Sequence, residues 1–224
     1  MGAAGTGKSS IAALYATSAA ERGEHAAMFL FDEGVNTLLS RCAELGIGLE
    51  QQLDAGRVTI QRIDPAELSP GELAHAIRQA VEKDRATVVV IDSLNGYLNA
   101  MPGERHLIIQ LHELLHYLAQ SGVATILISA HQGLIGSNLI ATVDASYLAD
   151  AVVLMRYFEA KGEVRQAVSV MKNRSGAHER TIREFSMAGG RITVGPALKE
   201  FRGVLTGTPL YNEAEGPAGL ENES

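Results

Sequence analysis

The sequence predicts an α/β fold: a largely parallel sheet flanked by helices, passing into an antiparallel C-terminal edge. Three observations predict it. Short apolar runs alternate with helical stretches up to residue 150, the mark of right-handed βαβ units. The run Val88-Val89-Val90-Ile91-Asp92 is apolar on both faces, as a buried parallel strand requires. After Asp150 the pattern changes to strands joined by tight turns.

The elements follow in order. Residues 9–23 are alanine-rich and lack proline, which reads as a helix. Residues 26–31 form an apolar strand that ends on Asp32-Glu33-Gly34, and residues 35–46 a second helix. A strand over 57–63, a loop over 64–70 and a helix over 71–83 come next. The strand 86–92, a long helix over 104–120 and a buried strand over 123–129 complete the parallel part. Residues 151–160 and 164–172 flank Lys161-Gly162-Glu163 as a hairpin, and 181–186 and 191–194 continue the strand-and-turn style. From Leu210 on, Gly, Pro, Glu, Asn and Ser dominate, so 1–209 reads as one domain and 210–224 as a disordered acidic tail.

Residues 2–9, Gly-Ala-Ala-Gly-Thr-Gly-Lys-Ser, fit G-x-x-x-x-G-K-[ST] without a mismatch. The glycines let consecutive backbone N–H groups turn inward around an anion, and the following helix points its positive end at the same anion. Lys8 is placed to reach the β- and γ-phosphates, and the Ser9 hydroxyl to hold Mg²⁺. The ATP-binding set is Gly2, Gly5, Thr6, Gly7, Lys8, Ser9 and Ser10. Asp92 ends an apolar strand where ligands sit in an open α/β sheet. It would act on Mg²⁺ through a water; its alternative role is a helix cap. Such a loop ordinarily hangs from a buried strand, yet only Met1 precedes it. That first strand is therefore missing from this sequence, and the natural polypeptide is expected to begin roughly twenty residues earlier, a strand and its turn.

Hydrolysis needs a carboxylate to orient the attacking water. Asp32 and Glu33 offer two, with Glu33 favoured and Asp32 assisting or substituting; the alternative is that both cap the helix at Val35. Lys172 and Arg174 lie two apart on a strand and share a face. Such a pair of cations suits a γ-phosphate reached from a neighbouring subunit; the alternative is a solvated surface.

Composition sets limits. Hydrophobic residues make up 46% of 224, enough for a large core. No apolar stretch approaches the roughly 18 residues of a membrane helix, and no basic-then-apolar leader is visible. The single cysteine, Cys42, suits a reducing compartment, so a cytoplasmic location without membrane contact is expected. Net charge is −7, unevenly spread: residues 1–150 carry 9 basic against 17 acidic groups, and 151–202 carry 10 against 5. A basic C-terminal third could attract nucleic acid or meet the acidic body of another copy.

Other features carry less. His112-Glu113-Leu114-Leu115-His116 spells the zinc-protease pattern H-E-x-x-H. Both histidines fall outside the apolar stripe, however, and no third ligand is evident. Ser129-Ala130-His131-Gln132 could sense a phosphate or simply open a loop. Cys42 reads as a packed small hydrophobe, and Tyr157 and Phe158 as packing residues.

Taken in order, these pieces resemble the KaiC-like branch of the RecA-type P-loop ATPases, the circadian-clock ATPase family. The matching stretches are residues 2–9, 29–33, 88–93, 150–162, 171–178 and 181–185. Residues 201–209 look like the family's domain-closing segment. The stretch 171–185 is the most specific, because general P-loop proteins lack it. The resemblance implies a RecA-like fold and hexameric rings with ATP between subunits. It also implies Lys172 and Arg174 lent by the next subunit. It places a candidate phosphosite at Ser146, beside Tyr147 where threonine is usual, so serine autokinase activity is at most weak. The acidic pair is Asp-Glu rather than two glutamates. The resemblance covers one ATPase domain, whereas the clock proteins carry two in tandem.

The expected function is therefore a Mg²⁺-dependent ATPase acting as a homo-oligomeric ring, in a signalling or clock-like role with other signalling proteins as candidate partners. The alternatives are a DNA-binding recombination ATPase and a non-hydrolysing ATP-dependent scaffold. Net acidity and few aromatics argue against nucleic acid as a partner.

Overall fold

The structure, a computed structural model, describes residues 1–64, 66–99, 107–130, 146–206 and 210–211. The start of the long helix at 104–106, His131, Gln132, the 207–209 end of the closing segment and the tail from 212 lie outside the described residues.

The parallel sheet has four strands in the order β2-β1-β3-β4. These are β1 (His25–Leu30), β2 (Val58–Arg62), β3 (Ala86–Asp92) and β4 (Ala124–Ile128). β1 and β3 run side by side in the middle, from Ala26 opposite Val88 to Leu30 opposite Asp92. Their side chains alternate between two cores, as a period of two dictates. Ala27, Phe29, Val89 and Ile91 face α4 (Pro70–Glu82) and α6 (Leu107–Gln120), meeting Leu73, Ile77, Leu111, Leu114 and Leu118. Ala26, Met28, Leu30, Val88 and Val90 face α1 (Lys8–Glu21), α2 (Val35–Glu44) and α3 (Leu49–Asp54). The buried face of α1 is Ala12, Ala13, Ala16, Ala19 and Ala20, and side chains this small let the helix lie close against the sheet.

α4 opens on a capping box. The Ser69 hydroxyl accepts from the Glu72 backbone N–H at 3.3 Å, and the Glu72 carboxylate accepts from the Ser69 N–H at 2.8 Å. Two six-residue helices have no counterpart in the sequence reading: α3, and α5 (Leu94–Asn99) directly after β3. Each is under two turns, too short to display a 3.6-residue period.

The C-terminal strands build a sheet of their own, in the order β5-β6-β7-β8. β5 (Ala151–Ala160) and β6 (Glu163–Asn173) form the expected hairpin, turning at Lys161 and Gly162 with φ of 56° and 75°. β7 (Arg183–Ala188) and β8 (Arg191–Ala197) follow. The antiparallel region is thus a separate sheet rather than a continuous edge of the parallel one. Gly2 stands between them, bridged in parallel to Ala130 after β4 and to Met155 on β5. The Gly2 N–H donates to the Ser129 carbonyl at 3.2 Å, and the Met155 N–H to the Met1 carbonyl at 2.9 Å. Gly2 cannot be replaced at this crossing, since a Cβ there would lie 2.1 Å from the Met155 carbonyl oxygen.

A third small core gathers Phe158, Ala160, Ala167 and Val204. Phe158 meets Phe201 edge to face at 5.6 Å, and β9 (Phe201–Arg202) pairs with β10 (Leu210–Tyr211).

Candidate active site

The loop at residues 2–7 joins Gly2, at the crossing of the two sheets, to the first turn of α1. Gly7 is the residue before that helix and holds φ 94°, a left-handed conformation that disfavours any side chain. Thr6 is buried, and its hydroxyl donates to the Ala3 carbonyl at 2.9 Å. The Lys8 ammonium donates to the same carbonyl at 2.5 Å, folding the long side chain back over its own loop. The antiparallel sheet supports the loop from behind. Gln166 donates to the Gly5 carbonyl at 3.3 Å, and the Tyr157 hydroxyl would stand 2.6 Å from a Cβ at Gly5. Tyr157 therefore packs against the loop.

Asp92 comes to this loop from the end of β3. Its carboxylate is hydrogen-bonded to the Ser9 side chain. Burial pushes the Asp92 carboxyl above its ordinary range; the Ser9 bond and Lys8 oppose this, and the charges of Glu33 and Asp32 reinforce it. Burial lowers Lys8, with Asp92 pulling it back up. Asp92 is thus the carboxylate whose charge acts on the half-buried Lys8, and the hydroxyl and carboxylate oxygens of Ser9 and Asp92, in contact with each other, fit a hard cation such as Mg²⁺. No group of three or more His, Cys, Asp or Glu among the described residues could hold a metal ion. A cation here would therefore take further ligands from phosphate and water.

The two acids after β1 are each held by a residue that sequence reasoning missed. Ser93 donates its hydroxyl to Asp32 at 2.5 Å and accepts from the Gly96 N–H at 3.1 Å. Glu33 is gripped by Arg41, Nη1 to Oε1 and Nη2 to Oε2, the latter at 2.7 Å. Arg41 also donates Nε to the Ser10 hydroxyl at 3.1 Å. One signal for Arg41 existed: it is the basic residue in the last turn of α2, eight positions after Glu33, and that helix starts right behind the acidic pair.

The structure therefore brings Lys8, Ser9, Ser10, Asp32, Glu33 and Asp92 together. Lys172 and Arg174 do not join them within one chain. Lys172 donates to the Ser146 carbonyl at 2.8 Å, and Arg174 to the Tyr147 carbonyl at 2.6 Å and Asp150 at 3.4 Å. Both cations thus point the same way, onto the turn that carries Ser146. Ser129 is buried beside Gly2. His112 and His116 are exposed on α6, with His116 paired to Gln120 at 2.9 Å. Cys42 is buried, its thiol pushed up to about 11 mainly by desolvation, so it packs and does not react. No helix among the described residues is long and apolar enough to cross a membrane.

A phosphate-binding loop, a strand-end aspartate on its serine and an acidic pair beside them define a P-loop ATPase domain of the RecA type. The family described as "ATPase: KaiC" matches residues 1–199, and the chain belongs to it. The chain is 26% identical over 227 residues to the circadian clock protein KaiC3 of Synechocystis sp., covering 99% of this chain and 44% of that protein. It is 24% identical to the circadian clock oscillator protein KaiC of Thermostichus vulcanus, covering 99% of this chain and 45% of that one. Against KaiC of Prochlorococcus marinus the identity is 26%, over 93% and 42%. The chain spans less than half the length of these relatives.

Proposed function

We propose that this chain hydrolyses Mg-ATP at a site shared between copies. The observation that carries the reading is the meeting of Lys8 with Ser9 and Asp92 beneath the glycine loop, two carboxylates beside them. The backbone of residues 5–7 and Lys8 would hold the triphosphate. Ser9 and, through water, Asp92 would hold Mg²⁺, which when bound neutralises charge developing on the phosphoryl oxygens. Glu33, with Asp32 beside it, would orient and polarise the water for in-line attack.

Lys172 and Arg174 supply the other half. In their own chain they engage the 146–150 turn, so a phosphate that meets them belongs to a neighbour. A head-to-tail interface that repeats this contact closes into a ring, for which six copies is the family's arrangement. Ser146, whose carbonyl accepts from Lys172, is the candidate for weak autophosphorylation. A signalling or clock-like role in the cytoplasm, with other signalling proteins as partners, completes the reading.

The test is complementation. Lys8→Ala and Arg174→Ala damage opposite halves of the shared site. Mixed in equal amounts they should recover up to about a quarter of normal phosphate release, because that share of head-to-tail contacts joins two intact halves. No recovery on mixing, with each variant still assembling, would refute the shared site.

A further inference from the structure

The two carboxylates after β1 are tied to different parts of the molecule. Ser93 ties Asp32 to the end of β3. Arg41 ties Glu33 to α1, because the guanidinium that forks onto both carboxylate oxygens also donates Nε to Ser10. Ser10 is buried and directly follows Ser9. One planar group therefore joins Glu33 to the first turn of the helix behind the phosphate loop.

The geometry matters more than the charge. A lysine at this position would hold Glu33 as a point charge and leave its carboxylate free to rotate. A guanidinium fork fixes the plane of the carboxylate as well as its distance. The third bond, to Ser10, fixes the fork itself. Each carboxylate oxygen keeps acceptor capacity after receiving one N–H, so Glu33 can still hold a water. The pair is partly shielded, at 32% and 22% side-chain exposure, and so is worth more than a fully solvated ion pair. Its bond to Glu33 also holds Arg41 more firmly protonated, against the opposing effect of burial.

We propose that Arg41 is a positioning residue for hydrolysis. It sets the orientation of the Glu33 carboxylate and references that orientation to the phosphate loop through Ser10. This role rests on the ATPase reading above. It differs from the role given to Lys172 and Arg174, since Arg41 works within its own chain and through another side chain.

The experiment compares turnover and Mg-ATP binding for the unaltered protein, Arg41→Lys, Arg41→Ala, Glu33→Asp and the Arg41→Lys/Glu33→Asp double variant. Losing the fork should lower kcat roughly 10- to 100-fold, as misorientation does, and leave KM and calorimetric affinity unchanged. The double variant should lose no more than the worse single one, because both break the same link. Millimolar methylguanidinium should restore part of the turnover of Arg41→Ala, which a general loss of packing would not permit. Arg41→Lys keeps the stem and charge, so it remains informative if Arg41→Ala melts early. Losses that multiply in the double variant, or a rise in KM with unchanged kcat, would overturn the assignment to Arg41. Unaltered protein that releases phosphate no faster than Lys8→Ala would instead overturn the ATPase reading on which it depends.

Discussion

Lys172 donates its ammonium to the backbone carbonyl of Ser146 at 2.8 Å. Two residues on, Arg174 takes the carbonyl of Tyr147, so the pair clamps the turn leading into β5. The arrangement gives these cations two masters. In one chain they order a turn; at a contact between copies they would meet a phosphate.

Arg174→Ala separates these roles. An arginine donated across an interface contributes on the order of 10³-fold or more to phosphoryl transfer. Turnover should therefore fall by that order while Mg-ATP affinity changes by less than about threefold. Phosphate release and calorimetry on the same sample check this. Equal losses of both would point to a role within the chain.

Asp92 predicts a trade between stability and binding. Its folded-state carboxyl titrates above the ordinary value of 3.8, raised first by burial. A raised value means that its favourable contribution is complete below that ordinary value and is lost as pH rises through the folded one. At neutral pH the buried charge opposes folding. Asp92→Asn should thus make the nucleotide-free protein more stable at pH 7, on the order of 1 kcal/mol, with the gain vanishing toward pH 4. The same change should weaken Mg-ATP binding. Denaturant titrations at both pH values measure the first effect. An Asn variant less stable at neutral pH would contradict the electrostatic account.

Gly96 predicts a packing effect at the acidic pair. It lies on α5 against β1's exit, where a Cβ would stand 2.5 Å from the Phe31 Cβ and 3.1 Å from an Asp32 oxygen. Gly96→Ala should cost about 1–3 kcal/mol, the range for overpacking, and disturb the Ser93–Asp32 bond. Unfolding free energy checks the cost. A variant as stable as the parent would show that α5 moves aside freely.

These residues also mark what the sequence could and could not disclose. The glycine loop, the strand ending on Asp92 and the adjacent Asp32 and Glu33 are contiguous patterns whose chemistry follows from spacing. The two-faced cores were legible too, because Val88 to Ile91 carry no polar residue to exclude burial on either side. Arg41 was legible only as a basic residue in the last turn of the helix behind the acidic pair; its pairing with Glu33 emerges once α2 is docked. Ser93 gave no signal as Asp32's partner, because the pairing crosses from β3 to β1. The division into two sheets, linked through Gly2 between Ala130 and Met155, is likewise a tertiary fact.

The most direct test is calorimetric titration of the protein with Mg-ATP, alongside Lys8→Ala. The account predicts a saturable heat approaching one nucleotide per chain, and its loss when Lys8 is removed. No saturable heat from the unaltered protein, or the same heat from both, would contradict it.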